Sequence, residues 1–517
     1  MQVKTQHDDL QNYLTDASNM PGGHADRLVV AENADEVAAV LAECSAENTP
    51  VTVSGARTGT VGGAIPFGGV ILSLEKLNGV AIDRERRTAT VGAGVILGDL
   101  QKEVERVGLF YPPDPTEWSC HIGGNIATNA SGARSFKYGA TRDHVEGLRV
   151  VLSTGEFLSL RRGEAVAADG IVKVVTENGR AIEIRVPTYE RPRVRKNVSG
   201  YFTSNDLDAV DLFIGSEGTL GVVVEATLRL LEKSKGFFSG IVFFPKESDL
   251  LAFVEDVRGS SRKNQVAAAP GSDKSADEGV RVPKRADGGV RVPVDAALLE
   301  YFDKNSLKLI AEKFPETPTK MAGAIFFEQE TTPENEDVLF EAWNGLLEMH
   351  NAAQDESWFT TNEQDLKKMR EFRHSLPVTV NERVVRNKQK KIGTDMAVPD
   401  DKFKGFLRFY NETLEASGIE YVIFGHIGDA HLHANLLPKT DEEATRSRHI
   451  YGRCIAQAIM LGGCVSAEHG IGKLKRNYLA AMMGERYLNE MAEVKRALDP
   501  RGILGRGNMF AETYLPA

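Results

Sequence analysis

The stretch Asp114–Val145, DPTEWSCHIGGNIATNASGARSFKYGATRDHV, decides how the chain is read. Its 32 residues carry almost no hydrophobic periodicity but are rich in Gly, Asn, Thr and Ser, which predicts an ordered loop lying along a polar ligand. Upstream, SGARTGTVGGA (Ser54–Ala64) sits between the strand-like runs PVTVS and GGVILSL. Glycines at 55, 59, 62 and 63 permit positive φ and close backbone approach, and successive N–H groups can then form a concave anion site. No helix pattern follows, so this is not the dinucleotide GxGxxG turn. Downstream, GSEGTLGVVVEATLRLL begins at Gly215. Three separated loops of this kind predict one large ligand bearing phosphates.

Composition narrows the classes that remain. The 517 residues suffice for two or three cores, with 42% hydrophobic and 26% charged residues, as in an ordinary globular protein. Lys plus Arg number 62 against 73 Asp plus Glu, a net charge of −11, which disfavours a nucleic-acid or anionic-membrane binder. An anionic ligand must therefore meet a local basic pocket. Cys44, Cys120, Cys454 and Cys464 show no CxxC pairing, which suggests neither a disulfide framework nor an iron–sulfur site. The acidic start MQVKTQHDDLQNYLTD lacks the apolar core of a secretory signal, and no apolar run reaches the roughly 20 residues of a membrane helix. The expected location is cytoplasmic, or peripheral at the inner face of a membrane, with no transmembrane segment.

From Leu28 to Leu231 short β-branched runs alternate with glycine and with helical stretches such as Asp35–Asn48, whose Val37, Val40, Leu41 and Cys44 recur at helical spacing. Residues 258–293 turn charged and Gly/Ala/Pro-containing, with GVRVP occurring at Gly279 and Gly289, and are expected to form a mobile insertion. Beyond it, VDAALLEYFDKNSLKLIAEKF reads as an amphipathic helix and KMAGAIFFEQE as a strand, opening a second α+β domain. A helical run from Tyr478 to Ala497 leads into a Gly-rich tail expected to pack back on an earlier domain. The expected domains are 1–233, 234–478 and the tail 479–517.

Two side-chain groups carry chemistry. FGHIGDAHLHANLLP gathers His426, His431 and His433; if HLHAN is a strand, its period of two puts His431, His433 and Asn435 on one face, and the GDA turn brings His426 alongside. CVSAEHGIGKLK then offers Glu468 and His469. Two imidazoles plus a carboxylate make an open divalent site, although spacing alone equally fits surface histidines and a helix-capping glutamate. KKMREFRHSLP places Arg370, Arg373 and His374 on neighbouring helical positions, either as an arginine fork for a carboxylate or as a solvated face.

With these motifs in view, the chain resembles the flavin-binding vanillyl-alcohol oxidase superfamily. Its later motifs look like the FAD-linked oxidase domain of D-lactate, glycolate and D-2-hydroxyglutarate dehydrogenases. The resemblance implies an α+β fold: a two-subdomain PCMH-type FAD-binding domain plus an α+β substrate (cap) domain with a central antiparallel sheet. Gly55, Thr58, Gly59, Gly62 and Gly63 would wrap the pyrophosphate. Pro113, Asp114, Gly123, Gly124, Asn125, Ala127, Asn129, Gly132 and Tyr138 would line the middle of FAD and its isoalloxazine, and Glu217, Gly218 and Val223 its adenosine end. Relatives with covalent FAD use a histidine in the first loop; here that loop has Arg57, in a usual glycine place, and no histidine, so the FAD is expected to be non-covalent.

The same resemblance assigns His426, His433 and Glu468 as ligands of a divalent metal, zinc first and Mn or Fe next. Asn435 would face the substrate, with His469 as general base, Arg370 on the substrate carboxylate, and Lys391 and His374 beside it. This chain departs from the pattern at His431, where relatives commonly carry asparagine, and at Ala430, where they carry glycine. The tail reads Gly505-Arg506-Gly507-Asn508 in place of NPGK, leaving Asn508 or Arg506 for the flavin contact. The expected activity is oxidation of a small-molecule D-2-hydroxy acid to the 2-oxo acid. Its electrons would pass to an external acceptor: a quinone, an electron-transfer flavoprotein, a cytochrome or an iron–sulfur subunit. Two alternatives are a non-redox synthase of the alkylglycerone-phosphate synthase type and a flavoprotein electron-transfer subunit of a larger complex.

Overall fold

The computed structural model describes residues 1–265 and 294–515. The chain divides into two compact units, one of residues 1–132, 139–233 and 464–517, the other of residues 133–138 and 234–463. The return to the first unit thus comes at Cys464, before the expected boundary at 479. The reason is local: Val198 N–H and Ser199 Oγ both donate to the carbonyl of Ser466, which ties the AEHGIG segment into the first unit.

In the first unit, a four-stranded sheet runs in the order Gln2–Lys4, Arg27–Val30, Val70–Ser73, Val51–Ser54, its last three strands parallel. The helix Ala34–Glu47 supplies the crossover. Asn33 caps it by accepting from Glu36 N–H, and Val37, Val40, Leu41 and Cys44 form its buried stripe. A five-stranded antiparallel sheet, in the order Val80–Asp83, Thr88–Gly92, Val222–Arg229, Val145–Val151, Phe157–Arg161, forms the other half. One core joins Val29, Val40, Leu72, Val151, Val224 and Leu504, so both sheets and the C-terminal tail share it. The tail follows the helix Arg476–Leu498 and bridges Leu504 to Val51. The first glycine-rich loop leaves the end of the strand Val51–Ser54, whose Val51 lies in this core.

The second unit is built on a seven-stranded antiparallel sheet, in the order Trp358–Thr360, Gly236–Phe244, Gly323–Thr331, Leu298–Asp303, Tyr421–Gly425, His433–Leu436, Ile392–Gly393. The helix expected across VDAALLEYFDKNSLKLIAEKF is a strand, Leu298–Asp303, followed by a short helix, Lys304–Ile310. All six strand residues are buried, because this strand lies inside the sheet and is covered on both faces; a continuous apolar run carries no helix-or-strand periodicity to read. Asp303 ends the strand and caps the helix by accepting from Ser306 N–H at 2.7 Å. Across one sheet face lies the helix Glu363–Arg386, whose Phe372, Leu376 and Val380 pack with Phe302 and Phe326. On the other, Trp343 stacks on Phe327 at 3.7 Å.

Of the insertion expected over 258–293, Arg258 to Gln265 instead complete the helix Glu247–Gln265. Leu250, Phe253, Val254 and Val257 give that helix a buried stripe, and Arg258 is itself buried, donating to the carbonyl of Ile427. Composition misread a helix end as a loop because its charge is inside. The rest of that segment, with both GVRVP repeats, lies outside the described residues.

Candidate functional site

In the first unit the glycine-rich loops converge. Ser54 ends its strand and the chain turns at Arg57, whose φ is +59°; the guanidinium folds back to donate to Ser54 Oγ at 3.2 Å and Gly55 O at 3.0 Å, and it lies over the Tyr13 ring at 4.3 Å. Arginine in a usual glycine place is thus held by three local contacts. Asn508 donates to Gly63 O at 3.0 Å and accepts from Lys473 Nζ at 2.8 Å, which fixes the tail against the first loop. Arg506 instead caps its own turn, donating to Gly502 O.

Gly123 starts the short helix Ile122–Thr128 against Ala93, and Pro113 O accepts from Gln101. Backbone N–H groups of Gly215 and Glu217 donate to Ile126 O and Ala127 O, joining the second and third loops. Asn129 Oδ1 accepts from Arg142 N–H. At Gly132 a Cβ would stand 2.2 Å from Asp114 O, so only glycine allows the two arms of the second loop to meet. Gly218 sits at φ +69° beside Val53, and Val223 lies buried in its strand.

Glu217, expected at the adenosine end, braces the backbone of another segment. Its buried carboxylate accepts from Ile471 N–H at 2.5 Å and Gly472 N–H at 2.7 Å, fixing the chain after Glu468 and His469. Glu468 Oε1 in turn accepts from Ser131 Oγ at 2.8 Å and Lys196 Nζ at 2.6 Å. Half-buried His469 follows in the same loop.

The first-unit loops fit FAD. Asn125 Nδ2 and His121 Nδ1 are buried without a protein partner, which suits polar groups aimed at a ligand. Gly59 and Gly124 face open space. Tyr138 belongs to the second unit, where its hydroxyl donates to Glu330 at 2.6 Å, so the run from Asp114 to Tyr138 crosses a unit boundary that spacing did not reveal.

In the second unit the strand Tyr421–Gly425 leads into His426, and a turn at Ile427–Asp429 with Ala430 at φ +53° returns the chain so that His431 N–H donates to His426 O at 3.2 Å. The strand His433–Leu436 then pairs back, and the three imidazoles gather: ring centroids lie 5.6 Å apart for His426 and His433, 5.6 Å for His426 and His431, and 4.5 Å for His431 and His433. His426 Nδ1 donates to Glu300 Oε1 at 2.6 Å and His433 Nδ1 to Thr394 O at 3.0 Å, with each acceptor a carboxylate or carbonyl of the kind that orients metal-binding imidazoles. This donor chemistry fits a divalent cation. Asn435, buried, shares the His433 face opposite Gly393, where a Cβ would meet its Oδ1 at 2.7 Å.

Facing the same sheet, Arg370 and Arg373 sit one helical turn apart and meet glutamates on adjacent strands: Arg370 Nε to Glu328 at 2.7 Å and Arg373 Nε to Glu300 at 3.0 Å. Arg134 adds a second bond to Glu328 at 3.2 Å. Despite their burial, both carboxyls are held below the usual carboxylate range, Glu300 by His426 and then Arg373, Glu328 by Arg134 and Arg370. Burial, then the Arg373 charge, pushes His374 down to about 4, so it is neutral near pH 7. Three arginines against two carboxylates leave one positive charge, and Arg370 Nη2 is buried without a partner. Lys391 is exposed at the start of the edge strand Ile392–Gly393.

Sequence reasoning missed Glu300, Glu328, Arg134 and Lys196. The first two carried a signal: a glutamate inside LLEYFD or FFEQE is a charge inside an apolar strand and demands a buried partner.

Residues 25–161 match the FAD binding domain family, and residues 290–509 match the C-terminal domain of FAD linked oxidases. The D-lactate dehydrogenase of Anaerostipes hadrus is 33% identical over 493 residues, covering 93% of this chain and 89% of that protein. The chain belongs to the FAD-linked oxidase family. As a member it is a flavoprotein oxidoreductase with FAD as cofactor. The glycolate oxidase subunit GlcD of Bacillus subtilis is 30% identical over 507 residues (97% and 92% coverage), and a D-2-hydroxyglutarate dehydrogenase of Xanthomonas citri is 29% identical over 539 residues (100% and 97%). The fold is also that of p-cresol methylhydroxylase, with TM-score 0.70 at 15% identity, covering 99% of this chain and 94% of that one. Among the described residues no helix is long and apolar enough to cross a membrane.

Proposed function

We propose that this family member oxidises a small D-2-hydroxy acid, D-lactate or glycolate in kind, to the 2-oxo acid, and that its electrons leave to an external acceptor. Dissociable FAD, when bound, supplies the hydride acceptor. A divalent cation on His426, His433 and Glu468, zinc before Mn or Fe, supplies a Lewis acid that lowers the pKa of the substrate hydroxyl.

The chain's own residues do the rest. Arg370 holds the substrate carboxylate through Nη2 and so fixes which face of Cα is presented. His469 takes the hydroxyl proton on its imidazole. Asn435, Lys391 and neutral His374 line the substrate. What supports the reading is the surplus positive charge where Arg370 and Arg134 share Glu328, one helical turn from Arg373, which shares Glu300 with His426.

Anaerobic mixing of the yellow protein with D- and L-hydroxy acids tests it, with metal content measured on the same sample. Bleaching by a D-acid alone is the expected result; a protein that keeps its colour with every hydroxy acid, as a non-redox synthase would, sinks the proposal.

A further inference from the structure

The third imidazole, His431, has no role in the reaction just proposed, yet the local backbone fixes it firmly. It is wholly buried, at 0% exposure. It is reached through Ala430 in the left-handed region, which costs a non-glycine residue roughly 1–2 kcal/mol. On its other side it bridges Ala397 across the sheet edge. Such strain persists where the surrounding structure fixes a position that function uses.

One ring nitrogen each of His426, His431 and His433 lies within 4.8 Å of the other two. Metal–nitrogen bonds of about 2.0–2.1 Å put neighbouring ligand nitrogens roughly 3–3.4 Å apart, which modest side-chain rotation reaches from here. The orienting contacts agree. His426 and His433 each donate through Nδ1, to Glu300 and to Thr394 O, which leaves the lone pair on Nε2. His431 brings its ring to within 3.3 Å of Asp395 Oδ1, with both side chains fully buried. The three rings thus cluster, two of them oriented by an oxygen as metal-binding imidazoles are and the third set beside a buried carboxylate.

We propose that His431 is a third imidazole ligand, so that the cation site of this protein is nitrogen-rich and selects zinc, cobalt, nickel or copper over manganese and magnesium. The inference rests on the divalent-cation reading and adds ligand number and metal class to it.

The test uses the full-length, FAD-loaded protein reconstituted with Cu(II) and examined by pulsed EPR, which counts coordinated imidazoles through their remote nitrogens. Three imidazoles are expected in the unaltered protein and two in His431→Asn. Competition against a chelator should show the preference for zinc over manganese falling at least tenfold in His431→Asn, while flavin absorbance per protein stays constant and reports an intact fold. Two imidazoles in the unaltered protein overturn the proposal, as does an unchanged metal preference in the variant. Should His431→Asn fail to fold, the count on the unaltered protein decides alone. Absence of any bound metal would overturn the divalent-cation reading itself, an outcome distinct from a site with two imidazoles.

Discussion

Glu328→Gln is the perturbation whose outcome follows most directly from the packing of the second unit. The Glu328 carboxylate is 1% exposed and holds two guanidiniums, Arg370 at 2.7 Å and Arg134 at 3.2 Å. Glutamine keeps the shape but removes the charge, leaving two arginines beside a neutral partner. Removing one member of a buried ion pair costs about 3–5 kcal/mol. The Arg370 side chain is 37% exposed, so water screens part of its loss, whereas Arg134 at 16% is screened less; about 3 kcal/mol is the expected destabilisation. For a unit of this size that lowers Tm by roughly 6–12 °C.

The same change raises the surplus positive charge from one to two, so the second unit should attract an anion more strongly. The assays are thermal unfolding of the holoprotein with and without a D-hydroxy acid, and a double-mutant cycle with Arg370→Gln. Expected are a lowered Tm, a larger ligand-induced rise in Tm than in the unaltered protein, and a coupling energy of about 1–3 kcal/mol. A Tm within one degree of the unaltered protein, or a coupling near zero, would refute the view of Glu328 as an ionised buried partner.

Further outcomes follow from other contacts. His374 titrates at about 4, against roughly 6.5 in an unfolded chain, so between those values the unfolded state binds more protons and stability rises with pH. Its contribution is complete above about pH 6.5 and falls by up to roughly 3 kcal/mol on acidification to pH 4; His374→Gln should therefore flatten the stability profile in that window, and identical profiles by denaturant titration would contradict the assignment. Gly132→Ala would place a Cβ 2.2 Å from Asp114 O, so purified Gly132→Ala should carry little flavin by absorbance and melt early. Ala430→Gly relieves a left-handed alanine and should raise Tm slightly, by an amount equivalent to about 1 kcal/mol at most; a lowered Tm would show that the turn is not strained. Acid precipitation should release the flavin into the supernatant, whereas yellow precipitate would mean a covalent link.

What the sequence made legible was whatever depends on local chemistry. The stripe Val37, Val40, Leu41, Cys44 follows from a period of 3.6, the shared face of His433 and Asn435 from a period of 2, and the approach of His426 from the GDA turn. The strand Leu298–Asp303 was illegible because burial on both faces erases the period. Arg258 was misplaced for the opposite reason, a charge inside a helix that composition assigns to solvent. Glu217 shows a third limit: the sequence marks it as part of a ligand loop, but its partners are N–H groups at Ile471 and Gly472, and no local pattern announces a bond between segments so far apart.

The arginine helix and the imidazole group are coupled through Glu300, and the coupling makes a sharp prediction. Its carboxylate accepts from two donors at once, His426 Nδ1 at 2.6 Å through Oε1 and Arg373 Nε at 3.0 Å through Oε2. Glutamine offers one acceptor oxygen and one donating NH2, and Arg373 can only donate, so the amide oxygen goes to the arginine and the NH2 to the imidazole. His426 must then accept at Nδ1 and carry its proton on Nε2, the nitrogen a cation would take. Glu300→Gln should therefore weaken metal binding by 10–100-fold, the usual cost of losing such an orienting contact, with FAD content unchanged. Glu300→Asp keeps two acceptors and should retain more of the affinity than the glutamine variant. Equal metal affinity in Glu300→Gln and the unaltered protein, by chelator competition, would mean that His426 does not bind metal through Nε2, and the link between carboxylate clamp and cation would fall with it.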